Sequence, residues 1–282
     1  MNPVFELKDV SYRYHGSIPA LERINLTIRQ GESVTILGAN GSGKSTLLQL
    51  LDGLIFPATG TVKAFGEILT EEKLETDEFR CFFRSRVGFV FQNPDIQLFC
   101  PSVTDEVAFG PLQLGLPPGE VRKRVDDVLD MLGIAHLRDR SPNQLSGGEK
   151  KKVAIASVLS LNPQVLLLDE PTNALDPRTR HWFTDLVEEL RKASKTIVIS
   201  THELPLVAKV SSRVIVLTEE HATAADGTPS EVLKDHDLLH RANILHEHET
   251  DTSGLFGREH EPHNGEKVIG FPASPTDRNK SR

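Results

Sequence analysis

The chain has 282 residues, 38% of them apolar and 26% charged, and a formal net charge of −8 at pH 7. This fits one large soluble α/β unit with a tail, or two small units, and the acidic balance argues against nonspecific attraction to nucleic acid or anionic lipid. Cys81 and Cys100 have no metal-ligand spacing and read as free thiols in a reducing cytosol. The opening "MNPVFELKDV" has no basic n-region or apolar h-region, so no export signal is expected. No apolar run approaches the ~18 residues of a membrane span.

In chain order, the first third reads as short strands: "FELKDVSYRY", "INLTIRQ" and "SVTILG" (33–38). A glycine-rich turn follows at once, then a helix in "KSTLLQLLDG" that ends at Gly53. "GTVKAFG" and "VGFVFQ" (87–92) read as further strands. From about 93 to 160 the pattern turns helical, and Val121, Val125, Val128, Leu129 and Leu132 share one face. "QVLLLDE" (164–170) is apolar without alternation, as expected of a strand buried on both faces. Asp176 followed by Pro177 marks a helix start. "KTIVIST" and "RVIVL" supply two more buried strands, and this alternation predicts a mostly parallel sheet with helices on both faces. From about 229 the chain becomes polar and histidine-rich after one possible helix, and most of 246–282 reads as a mobile tail.

"GANGSGKST" (38–46) fits G-x-x-x-x-G-K-[ST] and sits between a strand and a helix, where a phosphate-binding loop must sit. Residues Gly38, Ala39, Asn40, Gly41, Ser42 and Gly43 let backbone N–H groups converge on phosphates. Lys44 reaches the β and γ phosphates, the Ser45 hydroxyl is a Mg²⁺ ligand, and Thr46 completes the loop. Asp169, at the end of the strand in "VLLLDE", suits the same Mg²⁺, directly or through water. Glu170 lies beside the γ-phosphate, placed to orient or deprotonate a water. A second anion site is written in "LSGGE" (145–149), where Ser146, Gly147 and Gly148 open a helix.

Taken together, these motifs resemble the ATP-binding-cassette ATPases, the nucleotide-binding subunits of transporters, over about residues 3–228 and in the family's order. The resemblance implies an α/β P-loop domain with a mostly parallel core sheet, an antiparallel β subdomain and a helical subdomain at about 93–160. The remainder, 229–282, is expected to be a mostly flexible histidine-rich tail. It implies a head-to-tail dimer in which Ser146, Gly147 and Gly148 of one copy bind the γ-phosphate of ATP held by the other. Tyr14 matches the aromatic that stacks on adenine, with Tyr12 as rival and core packing as the plain reading for either. Gln92 matches the glutamine that senses Mg²⁺ and the γ-phosphate. Asp176 matches the loop crossing the dimer interface, and His202 matches the switch histidine. Glu149 replaces the family's usual glutamine, and Lys152 stands where arginine is common. Glu149 is expected to face away from phosphate or to pair with Lys150 or Lys151.

"FQNPDIQLF" (91–99) resembles the energy-coupling-factor branch, whose ATPases drive uptake of vitamins and of nickel or cobalt. Ile96, Leu98 and Phe99 suit a patch facing a transmembrane partner, or else are buried anchors. The resemblance implies separate transmembrane coupling and substrate-binding subunits, a second ATPase copy, no nucleic acid, and a peripheral place on the cytoplasmic face of the cell membrane. Six of the 11 histidines, including His246 and His248, fall between 236 and 263. "LLHRANILHEHE" resembles the tail of cobalt/nickel-type ATPases, and imidazole suits Ni²⁺ and Co²⁺; a solvated polar tail is the alternative. The expected function is therefore an ATP-hydrolysing motor using Mg²⁺, with nickel or cobalt as favoured cargo. A vitamin-type energy-coupling-factor importer or another ABC importer is the near alternative, and a soluble non-transport ABC ATPase the remote one.

Overall fold

The computed structural model describes residues 2–245. Two long strands, β1 (Pro3–Tyr14) and β2 (Ile18–Arg29), pair antiparallel and lead into β3 (Ser33–Leu37) and α1 (Lys44–Leu51). Next come β4 (Thr59–Ala64), β5 (Glu67–Ile68), α2 (Glu71–Glu75), α3 (Asp77–Arg84) and β6 (Val87–Val90). Three helices follow: α4 (Val103–Gln113), α5 (Pro118–Met131) and α6 (Gly147–Leu159). The chain continues through β7 (Val165–Asp169), α7 (Pro177–Lys192), β8 (Thr196–Thr201), α8 (Leu204–Val210), β9 (Arg213–Leu217) and β10 (Thr223–Gly227). Two short helices, α9 (Pro229–Lys234) and α10 (His236–Arg241), end it.

The strands form two sheets. One is antiparallel in the order β2-β1-β4-β5. The other runs β10-β9-β3-β8-β7-β6, parallel throughout except for β10 at its edge. Every residue of β3, β7 and β8 is buried, which accounts for their mostly apolar runs without alternation. Their side chains divide by the period of two. Val165, Leu167 and Val198 join α1 and the antiparallel sheet in one core, whereas Leu166, Leu168, Ile197 and Ile199 join α4, α5, α6 and α7 in another. The predicted apolar face of α5 is buried at all five positions.

Residues 229–245, which the sequence reading placed with the tail, complete a third core. Thr228 and Glu231 form a reciprocal cap for α9, and Asp235 caps α10. Val232, Leu233, Leu238 and Leu239 then pack on Leu37, Val207, Val214 and Val216. His236 and His240 thus sit on a folded helix, while His246, His248, His260 and His263 lie outside the described residues. Among the described residues no helix is long and apolar enough to cross a membrane, and no group of three or more His, Cys, Asp or Glu is placed to hold a metal.

Candidate nucleotide site

The register of the parallel sheet assembles the site. Leu37 of β3 is level with Thr201 of β8, and Ser200 of β8 with Asp169 of β7. The turn after β3, the acidic pair ending β7 and the histidine after β8 therefore emerge side by side at the carboxyl edge of the sheet, the usual ligand crevice of open α/β folds.

Two glycines make the turn after β3 possible. A Cβ on Gly38 would lie 2.5 Å from Ser42 Oγ and 2.7 Å from the Leu217 carbonyl oxygen. On Gly43, at φ 103°, it would lie 2.2 Å from the Ala20 carbonyl oxygen. Gly43 is the N-cap of α1 and offers no side-chain cap, so the helix start remains available to an anion. Lys44 is buried, and its Nζ donates to the carbonyls of Gly38 at 2.9 Å and Ala39 at 3.0 Å. The same Nζ is 3.2 Å from Glu170 Oε1.

The acidic pair is held just as firmly. Asp169 Oδ1 accepts from Ser45 Oγ at 2.9 Å and from Ser200 Oγ at 2.6 Å. Ser200 Oγ in turn accepts the Glu170 amide at 2.9 Å. Glu170 is buried and sits at φ 41°, a left-handed conformation that a non-glycine residue keeps only where its surroundings enforce it. Nδ1 of His202 lies 3.1 Å from the Glu170 carboxylate, and the ring is 41% exposed, open to whatever enters the crevice.

A cleft of ≈ 570 Å³ opens among these groups, with Asp169 and His202 outside its lining and bonded to the lining residues Ser45 and Glu170. Glu170, Gln92, Lys44, Ser45 and Thr46 line it together with Asn40, Gly41 and Gly43. Gly38, Ala39 and Ser42 do not line it; they shape the loop from behind, and two of them hold Lys44. Tyr14 reaches the cleft, with its hydroxyl 3.1 Å from Thr46 Oγ1. Tyr12 instead packs against the core, edge-on to Tyr14 at 5.0 Å. Ile18, Pro19, Ala20, Asn173 and His221 also line the cleft. No motif marked Ile18, Pro19, Ala20 or His221, because β2 and the β9–β10 turn reach the site only through the fold, whereas Asn173 opens the "NALD" stretch that ends at Asp176.

Ser146, Gly147 and Gly148 are not part of that cleft. Gly147 faces a second one of ≈ 360 Å³, which shares Gln92 and Asn173 with the first. Ser146 caps α6 reciprocally with Glu149: Glu149 Oε2 accepts from the Ser146 amide at 2.8 Å and hydroxyl at 2.7 Å. This corrects the expected lysine pairing, because a third-position carboxylate reaches its own helix N-terminus more readily than a lysine one or two residues away. The amide and hydroxyl of Ser146 hold the Glu149 carboxyl below its usual range. Lys150 pairs with Asp95 at 2.6 Å, and Lys152 lies over the Trp182 ring at 4.6 Å. Lys151 is buried and donates to the carbonyls of Phe91 at 3.1 Å and Gln92 at 2.7 Å. Burial pushes its ammonium down to about 8 against the attraction of Asp169. Asp176 caps α7 by accepting the amides of Arg178 and Thr179.

Comparison with known proteins decides what kind of site this is. The ABC transporter family profile matches residues 21–173. The chain belongs to the ABC transporter family. It is 52% identical to the nickel import ATP-binding protein NikO of Rhodobacter capsulatus over 87% of this chain and 97% of that protein. The structure of cbiO1 from Clostridium perfringens, part of the ABC transporter complex cbiONQ, superposes with a TM-score of 0.73 at 37% identity, covering 86% of this chain and 96% of that one. The ATP-binding cassette MJ0796, in a dimeric post-hydrolysis state bound to ADP and Pi, gives a TM-score of 0.71 at 32% identity, covering 80% and 98%.

As an ABC transporter cassette the chain is an ATP hydrolase coupled to transport. Its two sheets and helical layer are the ABC ATPase fold. On this fold Lys44, Ser45 and Glu170 line one cleft, Asp169 and His202 adjoin it through their bonds to Ser45 and Glu170, and Ser146, Gly147 and Gly148 stand apart from it.

Proposed function

We propose that the chain is the ATP-hydrolysing motor of an energy-coupling-factor importer for nickel or cobalt ions, acting as a head-to-tail dimer on separate transmembrane subunits at the cytoplasmic face of the membrane. The observation that carries the motor reading is the convergence of Lys44, Ser45, Asp169, Glu170, His202 and Gln92 on one crevice. The cargo reading is supported by the similarity to a nickel import protein and to cbiO1.

In this reading the loop amides and Lys44 grip the ATP phosphates, and Tyr14 offers its ring to adenine. Ser45, Asp169 and Gln92 provide a hydroxyl, a carboxylate and an amide oxygen, the hard oxygen donors that fit Mg²⁺. Bound there, Mg²⁺ would neutralise phosphate charge. Glu170 orients a water toward the γ-phosphate and takes its proton, and His202 holds the carboxylate in place and faces the phosphate.

A dimer is supported by the separation of the signature from the crevice. Ser146 and Gly147 lie outside the cleft of their own chain's phosphate loop, and an α6 N-terminus placed so suits a partner's nucleotide. Membrane coupling is supported by Ile96 and Phe99, which are 67% and 66% exposed. Phe99 is edge-on to Phe109 at 4.9 Å, whereas Leu98 packs inward. So large an exposed apolar pair suits a partner surface.

The test is uptake of labelled nickel, cobalt and a panel of vitamins in the native cell, comparing wild type with Glu170→Gln. Loss of nickel or cobalt uptake alone is the expected result. Loss of a vitamin would keep the motor and overturn the cargo, and undiminished uptake of everything would overturn both.

A further inference from the structure

The strand β6 delivers Gln92 to the nucleotide cleft, and the segment that follows it, residues 91–97, lies along α6. Three side chains clip the two together. Lys151 Nζ donates to the carbonyls of Phe91 and Gln92, and Lys150 pairs with Asp95 at 2.6 Å. From the other side, Gln97 Nε2 donates to the Ala154 carbonyl at 2.8 Å and to Ser157 Oγ at 3.1 Å, while its Oε1 accepts the Phe91 amide.

Lys151 is the unusual member. It is 2% exposed. A buried ammonium is costly unless its hydrogen bonds and field are arranged for it, and an apolar side chain of the same length would fill the space at no such cost. What the ammonium provides is a grip on two backbone carbonyls, with the Asp169 carboxylate as its attracting charge. Gln92 lines the cleft of its own chain's nucleotide as well as the cleft that Gly147 faces, and Lys151 stands in the wall of the second. The N-terminus of α6 is the end that would meet the partner's nucleotide. α6 is one unbroken helix of 13 residues, so a shift at Ser146–Gly148 would move Lys151 and, with it, the Gln92 backbone it holds.

We propose that Lys151 is a positioning residue that couples the signature helix to Gln92, so that engagement of the partner's nucleotide sets the geometry at the chain's own Mg²⁺ end. The coupling rests on the head-to-tail dimer of the preceding section. It makes hydrolysis at the two sites cooperative.

The experiment compares full-length wild type with Lys151→Met, which keeps the stem and removes the donors, and Lys151→Gln, which keeps one donor. ATP hydrolysis is followed against ATP concentration, with trinitrophenyl-ATP binding and thermal unfolding measured on the same preparations. For Lys151→Met the expectation is a kcat about 10- to 100-fold lower, the loss typical of a slightly misplaced group, and a Hill coefficient reduced to 1, with trinitrophenyl-ATP Kd within about twofold. Lys151→Gln falls between the two in both readouts, and it carries the test if Lys151→Met does not fold. Wild-type kcat and Hill coefficient in the folded variants would overturn the proposal. So would a rate loss that merely tracks weakened nucleotide binding and lowered unfolding temperature. Glu170→Gln is run alongside. Hydrolysis that survives it would overturn the assignment of Glu170 in the functional reading, whereas a wild type that hydrolyses without cooperativity would overturn the coupling and leave the motor standing.

Discussion

Lys44 Nζ lies 3.2 Å from Glu170 Oε1, and each side chain is only 5% exposed. In the proposed function the cation for phosphate and the carboxylate for water are thus ion-paired to each other, and a γ-phosphate would take its place between them. Glu170→Gln removes that competition together with the base. Its expected result is ATP binding retained or tightened, with kcat lowered by at least about 100-fold, as for loss of a general base. Lys44→Ala should behave oppositely and lose binding, because it leaves a buried carboxylate facing phosphate. Equilibrium nucleotide binding and single-turnover hydrolysis on both variants separate the two effects.

Tyr14 lines the cleft, and its hydroxyl is 3.1 Å from Thr46 Oγ1. Base–aromatic stacking is worth about 1–3 kcal/mol, so Tyr14→Ala should raise the Kd for ATP between about 5- and 150-fold. Tyr14→Phe keeps the ring and loses one partly exposed hydrogen bond, for a change within about fivefold. Tyr12→Ala should act on stability instead, because that ring packs on the core. A Tyr12→Ala variant with the larger Kd change would reverse the assignment.

The Glu149 carboxylate occupies the Ser146 hydroxyl and amide, two groups the dimer reading turns toward the partner's phosphate. Glu149→Gln keeps an acceptor for the Ser146 amide and removes one negative charge. At about 4 Å in water a unit charge is worth ~1 kcal/mol, so the KM for ATP should fall by about fivefold, less at high salt. Steady-state hydrolysis at two ionic strengths checks this. A higher KM would mean that the cap outweighs the charge.

The parallel strands and the phosphate loop were legible because each is a local pattern. "SVTIL", "VLLLD" and "TIVIST" are mostly apolar runs without alternation, and two of the loop's glycines, Gly38 and Gly43, stand where their neighbours leave no room for a Cβ. What was not legible depends on pairing at a distance. β5 and β10 are an edge pair of two residues and a mostly exposed edge strand, so neither bears a burial pattern. α2 has no buried residue at all. The helices of 229–245 carry a polar, histidine-bearing face that reads as tail, and only the surface of β9 and α8 gives Leu233, Leu238 and Leu239 something to cover. Leu239→Ala should therefore cost about 2–5 kcal/mol in urea unfolding, as for a fully buried leucine and not a tail residue.

Asp52 closes α1 with its side chain buried and its Oδ2 2.8 Å from Arg84 Nη1. Burial raises its carboxyl to about 6, outweighing the charge and hydrogen bond of Arg84, both of which lower it. A carboxyl raised in the folded state binds its proton more tightly there than in the unfolded chain. The resulting stability is fully present below about 4 and is lost as pH rises through about 6. Two pKa steps correspond to about 3 kcal/mol. Asp52→Asn keeps an oxygen for Arg84 and has no proton to lose, so it should gain on wild type by up to ~3 kcal/mol between pH 4 and pH 7.5. Urea unfolding of both proteins across that range measures the gain. A difference that stays flat with pH would show that Arg84 neutralises Asp52 in full, and that the buried pair at the end of α1 titrates as an ordinary surface carboxylate does.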